Sequence, residues 1–153
     1  MKNKIVKNRL LIIHGPNINL FGIRDVEIYG KESFSSINRQ ITAVAIENGF
    51  DCKIFQSNHE GEIVDALQQA KDDVEAIIIN AGAYSHYSIA IRDAIEAICL
   101  PCVEVHCSNI YKRESFRNKS IIFEVCVKSI VGFGKDSYFL AVKAVKNYCK
   151  GVF

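Results

Sequence analysis

The chain has 153 residues, enough for one domain that buries roughly two thirds of the surface its unfolded form exposes, so neither a disulfide nor a metal staple is required. A formal net charge of +2 is too slight to indicate a nucleic-acid or membrane partner, and neither is expected. The six cysteines do not form a disulfide framework in this reading, because Cys52, Cys102 and Cys126 sit in apolar runs as small buried hydrophobes.

Residues 1–8 read as a flexible basic tail. The apolar run from Leu10 to Ile13 is too short for a secretory signal, and no apolar stretch approaches membrane-spanning length, so the expected location is cytoplasmic. Residues 9–153 read as a single catalytic domain in which strand and helix patterns alternate without a linker or repeat. Arg9 to His14 is a buried strand, followed by a turn-rich segment from Gly15 to Gly30. Ser33 or Ser35 caps a helix with Ile37, Ile41, Val44 and Ala45 at helical spacing, which ends near Asn48-Gly49. Phe50 to Phe55 is the second strand, Gly61 to Lys71 an amphipathic helix, and Ala76 to Ile79 an unbroken apolar strand. A third helix is expected from His86 to Ile98, since Pro101 opposes its continuation. Cys102 to His106 makes the fourth strand, Val125 to Val131 the fifth, and Ser137 to Cys149 the last helix.

Five strands with intervening helices predict an α/β fold: a flavodoxin-like three-layer sandwich on a five-stranded parallel sheet of order 2-1-3-4-5. Polar residues then fall at the strand ends, in His14-Gly-Pro-Asn17, Gln56-Ser-Asn-His59, Asn80-Ala-Gly82 and His106-Cys-Ser-Asn109. Those ends share one edge in such a sheet, so amides, imidazoles and hydroxyls should converge on a polar pocket. Glu104 precedes His106 by two residues, which puts both side chains on one face of the strand, where the carboxylate can orient and charge the imidazole.

No metal-ligand cluster or nucleotide loop is evident, which narrows the chemistry to acid and base work on a small polar molecule. Gly132-Phe-Gly134-Lys135 lacks the four-residue gap of a phosphate loop and the hydroxyl residue after its lysine, so it reads as a turn. No lysine ends a buried strand to form a Schiff base. Arg24, Arg113 and Arg117 flank strand ends on loops, where they can bind an anion or favour the anion of an acidic side chain such as Tyr29. Three other readings stay open. Cys99-Leu-Pro-Cys102 has redox spacing, but it runs from a helix end into a strand, and a redox motif belongs at a helix amino end. His106-Cys107 with Arg113 spells the H-C-x5-R of cysteine phosphatases, yet no glycine lies in the loop and Glu114 would repel phosphate. A nucleotide-binding module of the same fold would need more glycine after the first strand than Gly15.

A set of longer stretches resembles the type II 3-dehydroquinate dehydratases. They are His14-Gly-Pro-Asn-Ile-Asn-Leu-Phe-Gly22, Arg24-Asp-Val-Glu-Ile-Tyr-Gly30, Phe55-Gln-Ser-Asn-His-Glu-Gly61, Asn80-Ala-Gly-Ala-Tyr-Ser-His86, Arg92-Asp93, Val103-Glu-Val-His-Cys-Ser-Asn109 and Arg113-Glu-Ser-Phe-Arg117. The resemblance spans the chain after Arg9 and implies a flavodoxin-like fold. It also implies a cofactor-free anti elimination of water from 3-dehydroquinate to 3-dehydroshikimate, a step of the shikimate pathway. In that pattern Tyr29 is the base, Asn17 holds a water against the enolate oxygen, His106 is the general acid and Arg24 belongs to a lid. Asn80, His86, Cys107, Ser108 and Arg117 take substrate-binding positions, Cys107 and Ser108 through their backbone, with Glu104 and Arg113 in support. Asp93 matches a residue that serves a neighbouring subunit, since the family assembles trimers into dodecamers. The sequence departs from the pattern at His14, usually asparagine, at Val26 and Ala81, usually proline, and at Cys107, usually aliphatic. The loss of a proline at position 26 frees φ there.

Overall fold

The computed structural model of the protein describes residues 8–152, so the basic tail expected over residues 1–8 lies outside the described residues except for Asn8. Five parallel strands form one sheet: β1 (Arg9–His14), β2 (Asp51–Gln56), β3 (Ala76–Asn80), β4 (Cys102–His106) and β5 (Lys128–Val131). Their order is β2-β1-β3-β4-β5, the flavodoxin-like order that the alternating strand and helix patterns predict. A single helical turn, α1 (Val26–Tyr29), is followed by α2 (Phe34–Glu47), α3 (Glu60–Ala70), α4 (Ile89–Ile98) and α5 (Asp136–Cys149).

The side-chain period of two sorts each strand between two cores. Leu10, Ile12, Ile78, Val103 and Val105 face α2 and α5, where Ile37, Ile41, Tyr138 and Val142 meet them. Leu11, Ile13, Ile77, Ile79 and Cys102 face α3 and α4, against Ile63, Leu67, Ile91 and Ile95. Both faces are buried, so β3 is apolar without alternation until Asn80. Among the described residues, no helix is long and apolar enough to cross a membrane.

Local chemistry sets the boundaries. Ser33, rather than Ser35, caps α2 by accepting the Ser36 N–H at 3.2 Å. The helix expected from His86 begins later, because Gly82–His86 closes as a 3-10 turn and Ser88 starts α4 by accepting the Ile91 N–H at 3.0 Å. The fifth strand is shorter than its apolar run. Val125 donates its N–H to the Ile122 carbonyl at 3.2 Å and Cys126 donates to Phe123 at 3.0 Å, so these amides are spent in a turn and pairing begins at Val127. Of the three cysteines expected to be buried, Cys102 is, whereas Cys52 and Cys126 are half-buried. Cys52 lies on the edge strand and Cys126 just before the shortened β5.

The loops after β1 and β3 touch where the site begins. A Cβ on Gly15 would lie 2.5 Å from both the carbonyl carbon and oxygen of Ala81, while the Gly15 N–H donates to the Asn80 carbonyl at 2.8 Å. Only glycine allows that approach. Gly15→Ala should therefore destabilise the protein by about 1–3 kcal/mol through overpacking. Gly61→Ala, which meets nothing within 4 Å on a helix, should be neutral or stabilising. Urea midpoints of the two variants check this, and equal midpoints would refute it.

Candidate active site

A cavity of about 410 Å³ opens beyond the carboxyl ends of β1, β3 and β4. Asn17 reaches it from the loop after β1 in a left-handed conformation, φ 66°, that asparagine tolerates better than most residues. Its backbone N–H donates to Asn58 Oδ1 at 3.0 Å, and Gln56 Nε2 donates to the Gly15 carbonyl at 3.3 Å. The end of β2 thus supports the first loop and does not line the cavity. His59 precedes α3 and also lies outside the lining, as does His14. Asn80, His106, Cys107 and Ser108 do line it, so three of the four expected polar strand ends converge.

On the β4 side, Glu104 is fully buried and its Oε1 lies 2.8 Å from His106 Nε2. Ser129 donates to Oε2 at 3.0 Å, and Ser120 donates to Oε1. Burial by itself would raise the pKa of this carboxyl, but the bonds from His106, Ser120 and Ser129 hold it below the ordinary value. Glu104 is therefore an anion fixed beneath the imidazole. Neither serine was legible as part of the site, because Ser120 lies in a loop and Ser129 in a strand, where hydroxyls are commonplace. His86 stacks on His106 with ring centroids 6.1 Å apart, and its Nδ1 donates to the Lys119 carbonyl at 2.6 Å. A carbonyl can only accept, so His86 Nδ1 carries a hydrogen and Nε2 is left for the cavity.

Tyr29 enters the cavity from the end of α1, stacked near Phe21 with centroids 5.6 Å apart. Two arginines attend it in different ways. The Arg24 guanidinium carbon lies 5.8 Å from the ring centroid, with Nε on Asp25 at 2.9 Å. Arg113 lines the same cavity, and the neighbouring Tyr29 side chain raises its pKa above the ordinary value. Glu114 shares itself between Arg113 Nε at 3.6 Å and Arg117 Nε at 3.3 Å, and Arg117 also lines the cavity. Asp93 does not. It sits exposed on α4 beside Arg92, 3.2 Å away.

Burial pushes the Cys107 thiol up to about 12, which leaves the H-C-x5-R reading without a thiolate nucleophile. Cys99 ends α4 in a left-handed conformation, φ 54°, and Cys102 is in β4, so the C-x-x-C pair is at the wrong end of a helix for redox work. Among the described residues, no group of three His, Cys, Asp or Glu could hold a metal ion.

Fold and site together define a flavodoxin-like α/β protein with a polar pocket at the carboxyl edge of its sheet. A family profile described as Dehydroquinase class II matches residues 8–146. The chain is 53% identical over 137 residues to a 3-dehydroquinate dehydratase of a Nitratiruptor species, covering 90% of this chain and 88% of that protein. It is 52% identical over 140 residues to the 3-dehydroquinate dehydratase of Caldicellulosiruptor bescii, covering 91% and 97%. The crystal structure of the type II dehydroquinase from Butyrivibrio crossotus superposes with a TM-score of 0.87 at 40% identity, over 90% of this chain and 96% of that one. The chain belongs to the class II dehydroquinase family.

Behind the cavity, His14 Nδ1 lies 2.9 Å from the Tyr138 hydroxyl and Nε2 lies 2.9 Å from Asn38 Oδ1. Tyr138 reads in sequence as one more core residue of an amphipathic helix, so nothing marked it. Burial lowers the His14 pKa from 6.5 to about 4. Unfolding returns the ring to its ordinary value, so between those two pH values the unfolded chain binds more protons. The contribution to stability is complete above 6.5 and is lost as pH falls toward 4, by about 3 kcal/mol in all. Urea denaturation from pH 7 to pH 4 should therefore show a shallower loss of stability in His14→Asn than in wild type. Parallel curves would remove His14 as a source of acid lability.

Proposed function

We propose that this chain catalyses the anti elimination of water from 3-dehydroquinate to give 3-dehydroshikimate, a step of the shikimate pathway toward aromatic amino acids. The observation that carries the reading is one cavity with two oppositely supported titratable groups, Tyr29 among arginines and His106 against a carboxylate. An acid and a base on one substrate need that division. The activity of the relatives points to the same reaction.

Tyr29, as a tyrosinate, takes a proton from the carbon beside the ketone, and the electrons of the broken C–H bond pass into the enolate. Asn17 holds a water against the enolate oxygen, stabilising the charge where it develops. As the enolate collapses, the C–O bond of the departing hydroxyl breaks. His106 donates the proton that makes water of it, with Glu104 holding the imidazole. Arg24 closes over the substrate from the α1 loop. Asn80, His86 and Arg117 hold its polar groups, and the Cys107 and Ser108 backbone faces its carboxylate. No cofactor takes part in this scheme. Residues 9–153 act as one catalytic domain in the cytoplasm, with Asp93 serving the site of a neighbouring subunit in trimers that build a dodecamer. The position of Asp93 on an exposed helix face, away from its own cavity, supports that last assignment.

Absorbance of the conjugated enone should report turnover of 3-dehydroquinate that survives chelator, and borohydride with substrate should leave the enzyme active. Tyr29→Phe should lower kcat by at least about a hundredfold, with binding of a substrate analogue retained. An ordinary phenol is ionised in about one molecule in a thousand at pH 7, so the cations near it matter. Arg24→Ala and Arg113→Ala should each move the rising limb of kcat/KM to higher pH. Near-normal turnover in Tyr29→Phe, or inactivation by borohydride, would overturn the mechanism.

Sedimentation should give a trimer or a multiple of it, and Asp93→Ala should lower activity without changing that state. A fully active monomer would refute the shared site.

A further inference from the structure

His14 and Tyr138 are polar, wholly buried and outside the cavity, and the chemistry above does not use them. They are nonetheless one hydrogen bond from it, because Asn80 Nδ2 donates to the Tyr138 hydroxyl at 2.9 Å. Each bond in this chain fixes the direction of the next. Asn80 Oδ1 accepts the Gly82 N–H at 3.3 Å, so the amide nitrogen must face Tyr138. The tyrosine oxygen accepts from it, and because Asn38 Oδ1 can only accept from His14 Nε2, the tyrosine O–H is the group that donates to His14 Nδ1. That nitrogen is bare, and Nε2 carries the hydrogen. The four side chains, on β3, α5, β1 and α2, form a single file of bonds all running one way. Phe34 and Tyr138 pack edge-on to the imidazole, with centroids 5.0 and 5.2 Å away, so the ring cannot turn over without displacing them.

We propose that His14 and Tyr138 are positioning residues that lock the Asn80 amide with its second Nδ2 hydrogen offered to the ligand, and that they act on substrate affinity through Asn80 alone. The proposal rests on the dehydratase reading for its substrate. An asparagine amide can otherwise turn over and present its oxygen, which would repel a ligand acceptor. Held by Tyr138 on one side and by Gly82 on the other, it presents a donor without any ordering cost at the moment of binding. Neutral groups suit this work. Burial keeps Tyr138 well above its ordinary pKa and His14 below its own, so no charge competes with the direction of the file.

An interaction made equally with substrate and transition state changes KM and spares kcat. Tyr138→Phe, which keeps the ring and removes the hydroxyl, should raise KM about tenfold, the loss of roughly one hydrogen bond, with kcat reduced by less than about threefold. His14→Leu should match it. His14→Gln, whose amide can accept from Tyr138 and donate to Asn38, should recover most of the affinity. In an Asn80→Ala background, Tyr138→Phe should add nothing further to KM, and this non-additivity separates action through Asn80 from general loosening of the core. An equal rise in KM in both backgrounds, or a fall in kcat at constant KM, would overturn the proposal. Nitrogen-15 spectra of the ligand-free protein decide the same point without catalysis. His14 should carry its hydrogen on Nε2, and the Asn80 side-chain amide should lose its exchange protection in Tyr138→Phe. Hydrogen on Nδ1, or unchanged protection, would reject the file of bonds. A wild type that does not turn over 3-dehydroquinate would refute the dehydratase reading and leave the spectra to judge the positioning.

Discussion

Where β1 and β3 end side by side, the Gly15 backbone runs so close to Ala81 that an added Cβ would meet its carbonyl atoms at 2.5 Å. Gly82 in turn approaches Pro16, whose carbonyl oxygen is 3.1 Å from the corresponding Cβ position. Two loops that would otherwise diverge are thereby joined back to back beside the cavity, which Asn17 enters from the first loop and Asn80 from the end of β3. In an open parallel sheet the ligand crevice forms where crossovers leave in opposite directions, and β1 and β3 flank such a point here. The crevice is an outcome of topology, but its width depends on how closely the loops approach. Gly15 sets that distance, and the positions of Asn17 and Asn80 follow from it.

The electrostatics of the cavity divide along the same line. Under β4 lies a buried carboxylate held by an imidazole and two hydroxyls, and at the α1 loop lies a phenol with the Arg24 guanidinium 5.8 Å from its ring centroid. Exchanging the supports would leave a cation beside an imidazole and a carboxylate beside a phenol, opposing the ionisation that each proposed role requires. Glu104 tolerates complete burial only because every strong donor near it is aimed at its two oxygens. Glu114 has the other task. It lies between Arg113 and Arg117 near the surface and keeps those guanidinium groups from repelling each other across the cavity mouth.

Strand order and both cores could be read from the sequence, because apolar runs and helical spacing follow directly from which faces are buried. Boundaries were less legible where a side chain competed with the ladder or the helix. Ser88 begins a helix that periodicity alone started at His86, and the turn over Phe123–Val125 keeps Val125 and Cys126 out of a run that looked like strand. Asn17, Asn80, His106 and Ser108 were found because polar groups at strand ends break an apolar pattern, whereas His86 was marked only by the family resemblance. Those behind the cavity were not. Tyr138 has helical spacing with Ala141, Val142 and Val145 and so reads as core, which it is, while its hydroxyl accepts from Asn80 at the edge of the cavity. His14 was visible as a strand end, but nothing in the sequence showed that it faces away from the cavity. Burial direction at a strand terminus depends on the helix packed against it, and that is a tertiary fact.

The two positions where proline is usual in the family part company in this chain. Ala81 sits at φ −73°, within the range that a proline ring imposes, so its loop has kept the shape and lost only the restraint on the unfolded chain. A difference of that kind is worth about 0.4–1 kcal/mol of stability. The Gly15 contact holds Ala81 in any case. Val26 is different. The residue before it, Asp25, adopts φ 44° and ψ 50°, a left-handed conformation, and from there its carboxylate receives Arg24 Nε. A proline at position 26 would push Asp25 toward extended backbone. The chain would then leave Arg24 in another direction, and the turn that sets Arg24 over the ring of Tyr29 could not form as it does. At position 81 the missing ring changes a stability, whereas at position 26 it permits a conformation, and the conformation it permits is the one that gathers Arg24 and Tyr29 at the cavity.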